Sequence, residues 1–265
     1  MQHAGKARKE GMRLILWSSL LWLCVLAAAW LALANTSLFR ALAAATGGIW
    51  LLFFGFCLNF FRDPDPDVPA DSDAIVAPAH GTVDVIEETD EREFMGSRCL
   101  RISTFLSVFD VHVQNAPVSG KIVYLQDHRG KFFNAMRADF SSQNENALIG
   151  IESANLPGGR IAVRLIAGLI ARRIVPWVAV EDRVGRGERI SLIRFGSRVD
   201  LYLPLAARVE VRLGDKVKGG ETVMARAGAV EGSMAPLHKS PSPRHGASWT
   251  QFSAEDRSER RVRAE

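Results

Sequence analysis

Cysteine is scarce in this chain: Cys24, Cys57 and Cys99 are three among 265 residues, none in a C-x-x-C spacing and the first two inside apolar runs. That excludes a disulfide framework or a cysteine zinc site as the organising principle, and no metal centre is expected. An excess of one charge is also lacking. Lys plus Arg total 33 against 29 for Asp plus Glu, and much of the surplus lies at the two ends. The pI of 9.2 therefore marks out no nucleic-acid face, and no nucleic-acid partner is expected. A chain of 265 residues has room for one full domain and an appendage, at roughly 100 to 200 residues per domain.

Two stretches contain no charge at all, Leu14 to Ala34 and Ala41 to Phe61, each 21 residues long. About 20 apolar residues suffice for a helix to cross a bilayer core. The short connection between them predicts a membrane-anchoring helical hairpin over 1–61. The alternatives are a cleaved signal peptide and a buried core helix, but the first run is long for a signal segment and has no clean small-x-small exit. Lys6, Arg8, Lys9 and Arg13 precede the first run, Arg62 follows the second, and only Arg40 lies between them. Positive charge on both flanks puts both ends of the hairpin, and everything after Arg62, in the cytoplasm.

Arg62-Asp63-Pro64-Asp65-Pro66-Asp67 cannot continue a helix and is expected to run extended along the membrane exit. From there to Arg226 short Val/Ile-rich stretches alternate with glycines, the pattern of a β-rich (α+β) domain. The run from Ile161 to Trp177 reads equally as strand or as short helix. Asp182-Arg183-Val184-Gly185-Arg186-Gly187-Glu188 is matched 33 residues later by Asp215-Lys216-Val217-Lys218-Gly219-Gly220-Glu221. As a bare pattern these are two similar hairpin turns. They also resemble the turns of lipoyl- and biotinyl-type half-barrels, two of which would build a flattened β-sandwich, although neither copy carries the lysine of a lipoyl or biotin carrier. Residues 227–265 are rich in Ser, Pro, Arg and Glu, with too little apolar content to fold, and are expected to be a disordered tail.

Four segments of the body hold reactive groups. Ala77-Pro78-Ala79-His80-Gly81 presents His80 at a turn. In Ser107-Val108-Phe109-Asp110-Val111-His112-Val113, strand alternation would put Asp110 and His112 on one face. A carboxylate there can orient the imidazole. Ser142-Gln143-Asn144-Glu145-Asn146 is a polar loop, and Arg194-Phe195-Gly196-Ser197-Arg198-Val199-Asp200 interrupts an apolar strand with a Gly-Ser step. No G-x-S-x-G elbow surrounds Ser197, so a serine hydrolase is not indicated.

Arg62-Asp63-Pro64, Ala77-Pro78-Ala79-x-Gly81, Phe105-Leu106-Ser107-x-x-Asp110-Val111-His112-Val113, Ala116-Pro117-Val118-x-Gly120, Asn144-Glu145-Asn146, Ile166 to Ile174 and Phe195-Gly196-Ser197-Arg198-Val199-Asp200 together closely resemble the short bacterial form of phosphatidylserine decarboxylase, in colinear order over residues 50–226. The resemblance implies a pyruvoyl enzyme of the inner bacterial membrane that cuts itself between Gly196 and Ser197. It further implies a large β chain of residues 1–196, a small α chain of 197–265, and phosphatidylserine as substrate. Loss of carbon dioxide from an α-amino acid needs an electron sink. No convincing pyridoxal-phosphate cup is present, and the pyruvoyl group made from Ser197 would serve instead. His112 would protonate the carbanion, with Asp110 orienting it. Two positions depart from the family pattern: His80 replaces the aspartate implicated in priming Ser197, and Asn115 stands where longer members have a second histidine. His80 is expected to act as the base itself, losing that ability on protonation between about pH 5 and 7. Processing is expected to be independent of the anchor. The competing readings are a cleavage-deficient, membrane-tethered β-sandwich that binds lipid or a protein partner, and a fusion-type adaptor.

Overall fold

The two uncharged runs form helices in the computed structural model, which describes residues 2–33, 36–130, 144–154, 156, 159–168, 173–193 and 197–228. Helix α1 is Lys6–Leu33 and α2 is Ser37–Phe60, the latter N-capped by Thr36, whose Oγ1 accepts from Phe39 N. At about 1.5 Å per residue both are longer than a bilayer core of about 30 Å, and both are long and apolar enough to cross a membrane. They pack antiparallel. Trp22 stacks on Trp50 at 5.2 Å and donates through Nε1 to Thr46. Each helix begins before the apolar stretch expected from composition. In α1 the added turns carry Ala7 and Gly11, which lie in line with Ile15 at a spacing of four and pack toward the end of α2. Gly11 is a matter of space, because a Cβ there would lie 2.7 Å from that of Phe61.

The segment after α2 is extended, as its prolines require, and crosses the two repeated turns. Pro66 packs on Gly220, Val68 on Gly187, and Arg186 donates to the Pro69 carbonyl. The remaining strands are β1 Ala74–Val76, β2 Gly81–Glu91, β3 Ser97–Leu106, β4 Val113–Asn115, β5 Gly120–His128, β6 Asn146–Glu152, β7 Arg160–Ala167, β8 Ile174–Pro176, β9 Arg183–Val184, β10 Arg189–Ile193, β11 Ser197–Leu203, β12 Arg208–Val209, β13 Lys216–Val217 and β14 Val223–Arg226. The described parts of Ile161 to Trp177 are thus strand, not helix. β-branched residues alternating across a two-sided sheet prevail there over the local helical reading.

One sheet has the order β13-β2-β3-β11-β7-β6-β5-β9, flanked by β1-β14-β12 and β4-β10-β8. These orders are symmetric about the β11/β7 pair: β1-β2-β3 answers β4-β5-β6, and β7 to β10 answers β11 to β14. The repeat therefore extends well beyond the two turns. Ala77-Pro78-x-x-Gly81 and Ala116-Pro117-x-x-Gly120 hold equivalent places, and Val76 N donates to Pro117 O while Asn115 N donates to Pro78 O. Asp182 accepts from Ala179 N and Asp215 from Arg212 N, each through Oδ2 at 2.8 Å. Gly187 and Gly220 both adopt φ of 76°, a left-handed conformation that glycine takes without strain, and they pack against each other. Between the layers lies one apolar core that includes Ile75, Ile102, Ile122, Ile149, Leu165, Val199 and Leu201. The tail expected over 227–265 falls outside the described residues from 229 onward, and Ala227 still donates to Asp73 O.

Candidate active site

Ser197 opens β11, the strand at the centre of the large sheet, and lies in register between Leu106 of β3 and Ala167 of β7. Its side chain is fully buried, and its Oγ makes no hydrogen bond among the described residues. A buried hydroxyl without a partner is costly and calls for a functional explanation. Gly196, on the other side of the expected scissile bond, lies outside the described residues, as do Arg194, Phe195 and residues 169–172.

The strands beside Ser197 determine what surrounds it. Past Leu106 the chain does not continue as strand. Asp110 N donates to Ser107 O, Ser107 N to the Asp110 carboxylate and Phe109 N to Ser107 Oγ, closing a tight turn. The alternation expected across Asp110 and His112 is therefore absent, because short polar side chains at both ends of Ser107-x-x-Asp110 stabilise a turn. It follows that the Asp110 carboxylate does not orient His112, contrary to expectation. The Asp110 backbone carbonyl does so, 2.9 Å from His112 Nδ1. A carbonyl only accepts, so Nδ1 carries the proton of the neutral ring and Nε2 holds the lone pair. The His112 backbone is fixed in turn: its carbonyl accepts from Gln114 Nε2 at 2.7 Å and from Ile193 N at 3.2 Å.

His112 is fully buried, and the end of α2 covers it. The Phe60 ring lies 4.1 Å from the imidazole at a tilt of 31°, and Phe60, Phe61, Ala7, Val111, Val113 and Leu192 form one apolar cluster. Burial pushes the His112 pKa down to about 4. The Asp110 carbonyl and carboxylate oppose that shift, and Arg62 and His80 reinforce it. His80 sits on the turn between β1 and β2 and is likewise held at about 4, chiefly by burial, with Glu221 and Asp110 opposing and Arg62 and Lys218 reinforcing. Both imidazoles are neutral at pH 7.

The structure thus gathers His80, Asp110 and His112 and places Arg62 beside them. Neither imidazole is hydrogen-bonded to Ser197 Oγ. Gly81 lies two strands from Ser197, a backbone separation of roughly 10 Å at the usual strand spacing. On the other flank Asn144 Nδ2 donates to the Ala167 carbonyl at 2.9 Å, fixing the strand end next to Ser197. Asn115 is structural: its Nδ2 donates to Gly187 O and ties the His80 turn to the repeated turn. Behind the site Arg198 pairs with Asp84, and the buried Asp200 carboxyl is pushed up by burial against the opposing influence of Arg101, Arg198 and Arg164.

Phe60 and Arg62 were not legible as site residues, since the sequence shows them only as the end of an apolar run and its flanking charge. The docked end of the anchor covers His112, so removing residues 1–61 would strip that cover from the imidazole.

Residues 53–225 match the family described as phosphatidylserine decarboxylase. A phosphatidylserine decarboxylase proenzyme of Desulfotalea psychrophila is 46% identical over 178 residues, 67% of this chain and 82% of its own length. Its counterpart in Symbiobacterium thermophilum is 44% identical over 186 residues, 70% of this chain and 84% of that one, and that of Pelobacter propionicus is 43% identical over 197 residues, covering 74% and 88%. With the family match spanning the β body and these relatives aligned over most of their lengths, the chain belongs to the phosphatidylserine decarboxylase family.

Proposed function

We propose that this protein is made as a precursor, cuts itself between Gly196 and Ser197, and converts phosphatidylserine to phosphatidylethanolamine at a membrane surface. The observation that carries this reading is the buried Ser197 hydroxyl, without a partner among the described residues, at the first position of a central strand, in a family whose named relatives are proenzymes. Ser197 Oγ attacks the Gly196 carbonyl carbon, and the C–N bond gives way to an ester. Loss of the Ser197 α-proton and cleavage of the Cβ–Oγ bond release the upstream carboxylate. Hydrolysis of the resulting dehydroalanine, with loss of ammonia, leaves a pyruvoyl group at residue 197. The products are a β chain of 1–196 and an α chain of 197–265. His80 takes the hydroxyl proton, through a water or after a shift of its turn, since no direct hydrogen bond links the two.

The pyruvoyl group, once formed, supplies the electron sink for decarboxylation. The residues around it handle the protons. Neutral His112 accepts the substrate ammonium proton at Nε2 and returns it to the α-carbon after carbon dioxide leaves, so one imidazole serves as base and then as acid. This differs from a histidine already protonated at rest, a state that burial disfavours at neutral pH. The basic flanks at Lys6 to Arg13 and Arg62 support an orientation with the body on the cytoplasmic side of the inner membrane. The duplicated turns support a lipoyl-type pair of half-barrels adapted to self-cleavage.

Intact-mass measurement of the purified protein is the test. Two chains, the smaller of 69 residues with a blocked N-terminus, are expected, and Ser197→Ala should remain a single chain of 29.1 kDa. A wild-type chain that stays whole would favour the cleavage-deficient lipid-binding reading.

A further inference from the structure

Helix α2 is long and apolar enough to cross a membrane, and the first charge after its apolar run is Arg62. The guanidinium is half-buried and pinned in place. Nη1 donates to Asn59 O at 2.6 Å and to Asn59 Oδ1 at 3.0 Å, and Nη2 donates to the Phe109 carbonyl at 2.7 Å. Of its five N–H donors, these bonds leave Nε–H and one Nη2–H without a partner among the described residues. The residue whose carbonyl it holds, Phe109, points its ring outward and is 69% exposed at the tip of the Ser107–Asp110 turn. Two positions before Arg62, Phe60 stacks on His112. One short segment therefore joins the membrane exit, a fixed cation with spare donors, an exposed aromatic ring and the covered imidazole.

We propose that Arg62 recognises the phosphodiester of the lipid substrate and that Phe109 lies in the interfacial layer beside it. The inference rests on the decarboxylase reading and deepens it. In a serine headgroup two carbons separate the phosphate ester oxygen from the amine, so a phosphate held at Arg62 directs the amine inward, toward the buried histidines. The guanidinium fork matches phosphate geometry, and its two unused donors suit a bidentate contact. The same cation already bears on both His80 and His112, which places it beside the reacting end of the headgroup. An aromatic ring at the interface level is the usual companion of such a site.

The test uses the full-length mature enzyme in detergent micelles and two soluble probes, glycerophosphoserine, which keeps the phosphodiester, and O-methylserine, which lacks it. Binding of each is measured by calorimetry, and turnover of phosphatidylserine by release of carbon dioxide. Wild type should bind glycerophosphoserine at least about tenfold more tightly than O-methylserine, in keeping with charge-assisted bonds to phosphate. Arg62→Gln should bring the two affinities within about threefold and raise KM for the lipid about tenfold, with kcat changed much less. Arg62→Lys, which keeps the charge without the fork, should fall between and serves if the glutamine variant does not fold. A purely structural Arg62 would weaken both probes alike, and an unchanged affinity ratio in these variants refutes the proposal. Absence of carbon dioxide release by mature wild type would instead sink the decarboxylase reading, while the binding ratio would still decide the role of Arg62.

Discussion

Replacing Phe60 with alanine should move the acid limb of the pH–rate profile upward, by an amount that can be bounded from the structure. Burial is the chief reason that His112 titrates at about 4 rather than at 6.5, and the Phe60 ring, its centroid 4.1 Å from that of the imidazole, is part of that cover. The net lowering from 6.5 to about 4 is worth about 3 kcal/mol of preference for the neutral ring, and burial is its largest cause. Phe61, Val111 and Val113 remain, so half that shift is the expected outcome. The working form is the neutral ring, so raising its pKa removes activity as pH falls and leaves the neutral plateau alone. At pH 5 the wild-type ring is about 90% neutral, and with half the shift it is about 40% neutral. The assay is kcat/KM on detergent-dispersed phosphatidylserine from pH 4 to 8. The His112 titration is followed in parallel by NMR of histidine-labelled protein, with the signal assigned by its absence in His112→Gln. Phe→Ala in a core costs about 3–5 kcal/mol, so Phe60→Leu is the companion variant that keeps most of the volume. An acid limb in Phe60→Ala that overlays the wild type would refute the argument that the anchor sets the state of this imidazole.

Three further outcomes follow from the same contacts. If His80 is the base for self-cleavage, maturation of freshly synthesised chain should persist down to about pH 4, where burial places its pKa, rather than fail between 5 and 7, and pulse-labelled processing across pH decides between the two. Arg189 is buried against Asp63, with Nε to Oδ1 at 2.5 Å, and also bonds Asp65, so Arg189→Met should destabilise the fold by about 3–5 kcal/mol in denaturant titration. The double variant with Asp63→Leu should recover part of that loss, and no recovery would mean that the buried charge is not the cause. Removing residues 1–61 should slow turnover even of soluble short-chain lipid below about pH 6, because it uncovers His112 and raises its pKa, and an unchanged acid limb on such a substrate would show that the anchor only concentrates the enzyme on membranes.

What the sequence made legible depended on whether the signal was local. The uncharged runs at 14–34 and 41–61 state their own helices, since length and apolarity are sufficient for that inference. The Asp182 and Asp215 turns were visible because seven residues carry the whole device. The companion duplication, Ala77-Pro78-x-x-Gly81 with Ala116-Pro117-x-x-Gly120, lies at a different offset and shows its meaning only when Val76 N donates to the Pro117 carbonyl and Asn115 N to that of Pro78 across the symmetric pair. Asp110 was misread because a period of two over Phe109 to Val113 mimics a strand, while Ser107 and Asp110 had already closed a turn. Phe60 and Arg62 drew no attention as site residues because their roles arise from a helix end docking on a β turn 47 to 52 residues later in the chain, a tertiary fact with no local signature.

The central place of β11 bears on how long the enzyme would stay equipped. A strand end at residue 197 has neighbours on both sides, Leu106 and Ala167, and lies between two halves of one core rather than at an edge. A prosthetic group carried there would be neither borrowed from solution nor able to dissociate into it. Bonded through the backbone, it would stay on its chain even if the sheet came apart and would lose only its surroundings, so the working lifetime of the catalyst and the lifetime of its fold would be one quantity. The cell could not replenish such an enzyme by supplying a vitamin, only by synthesising another chain.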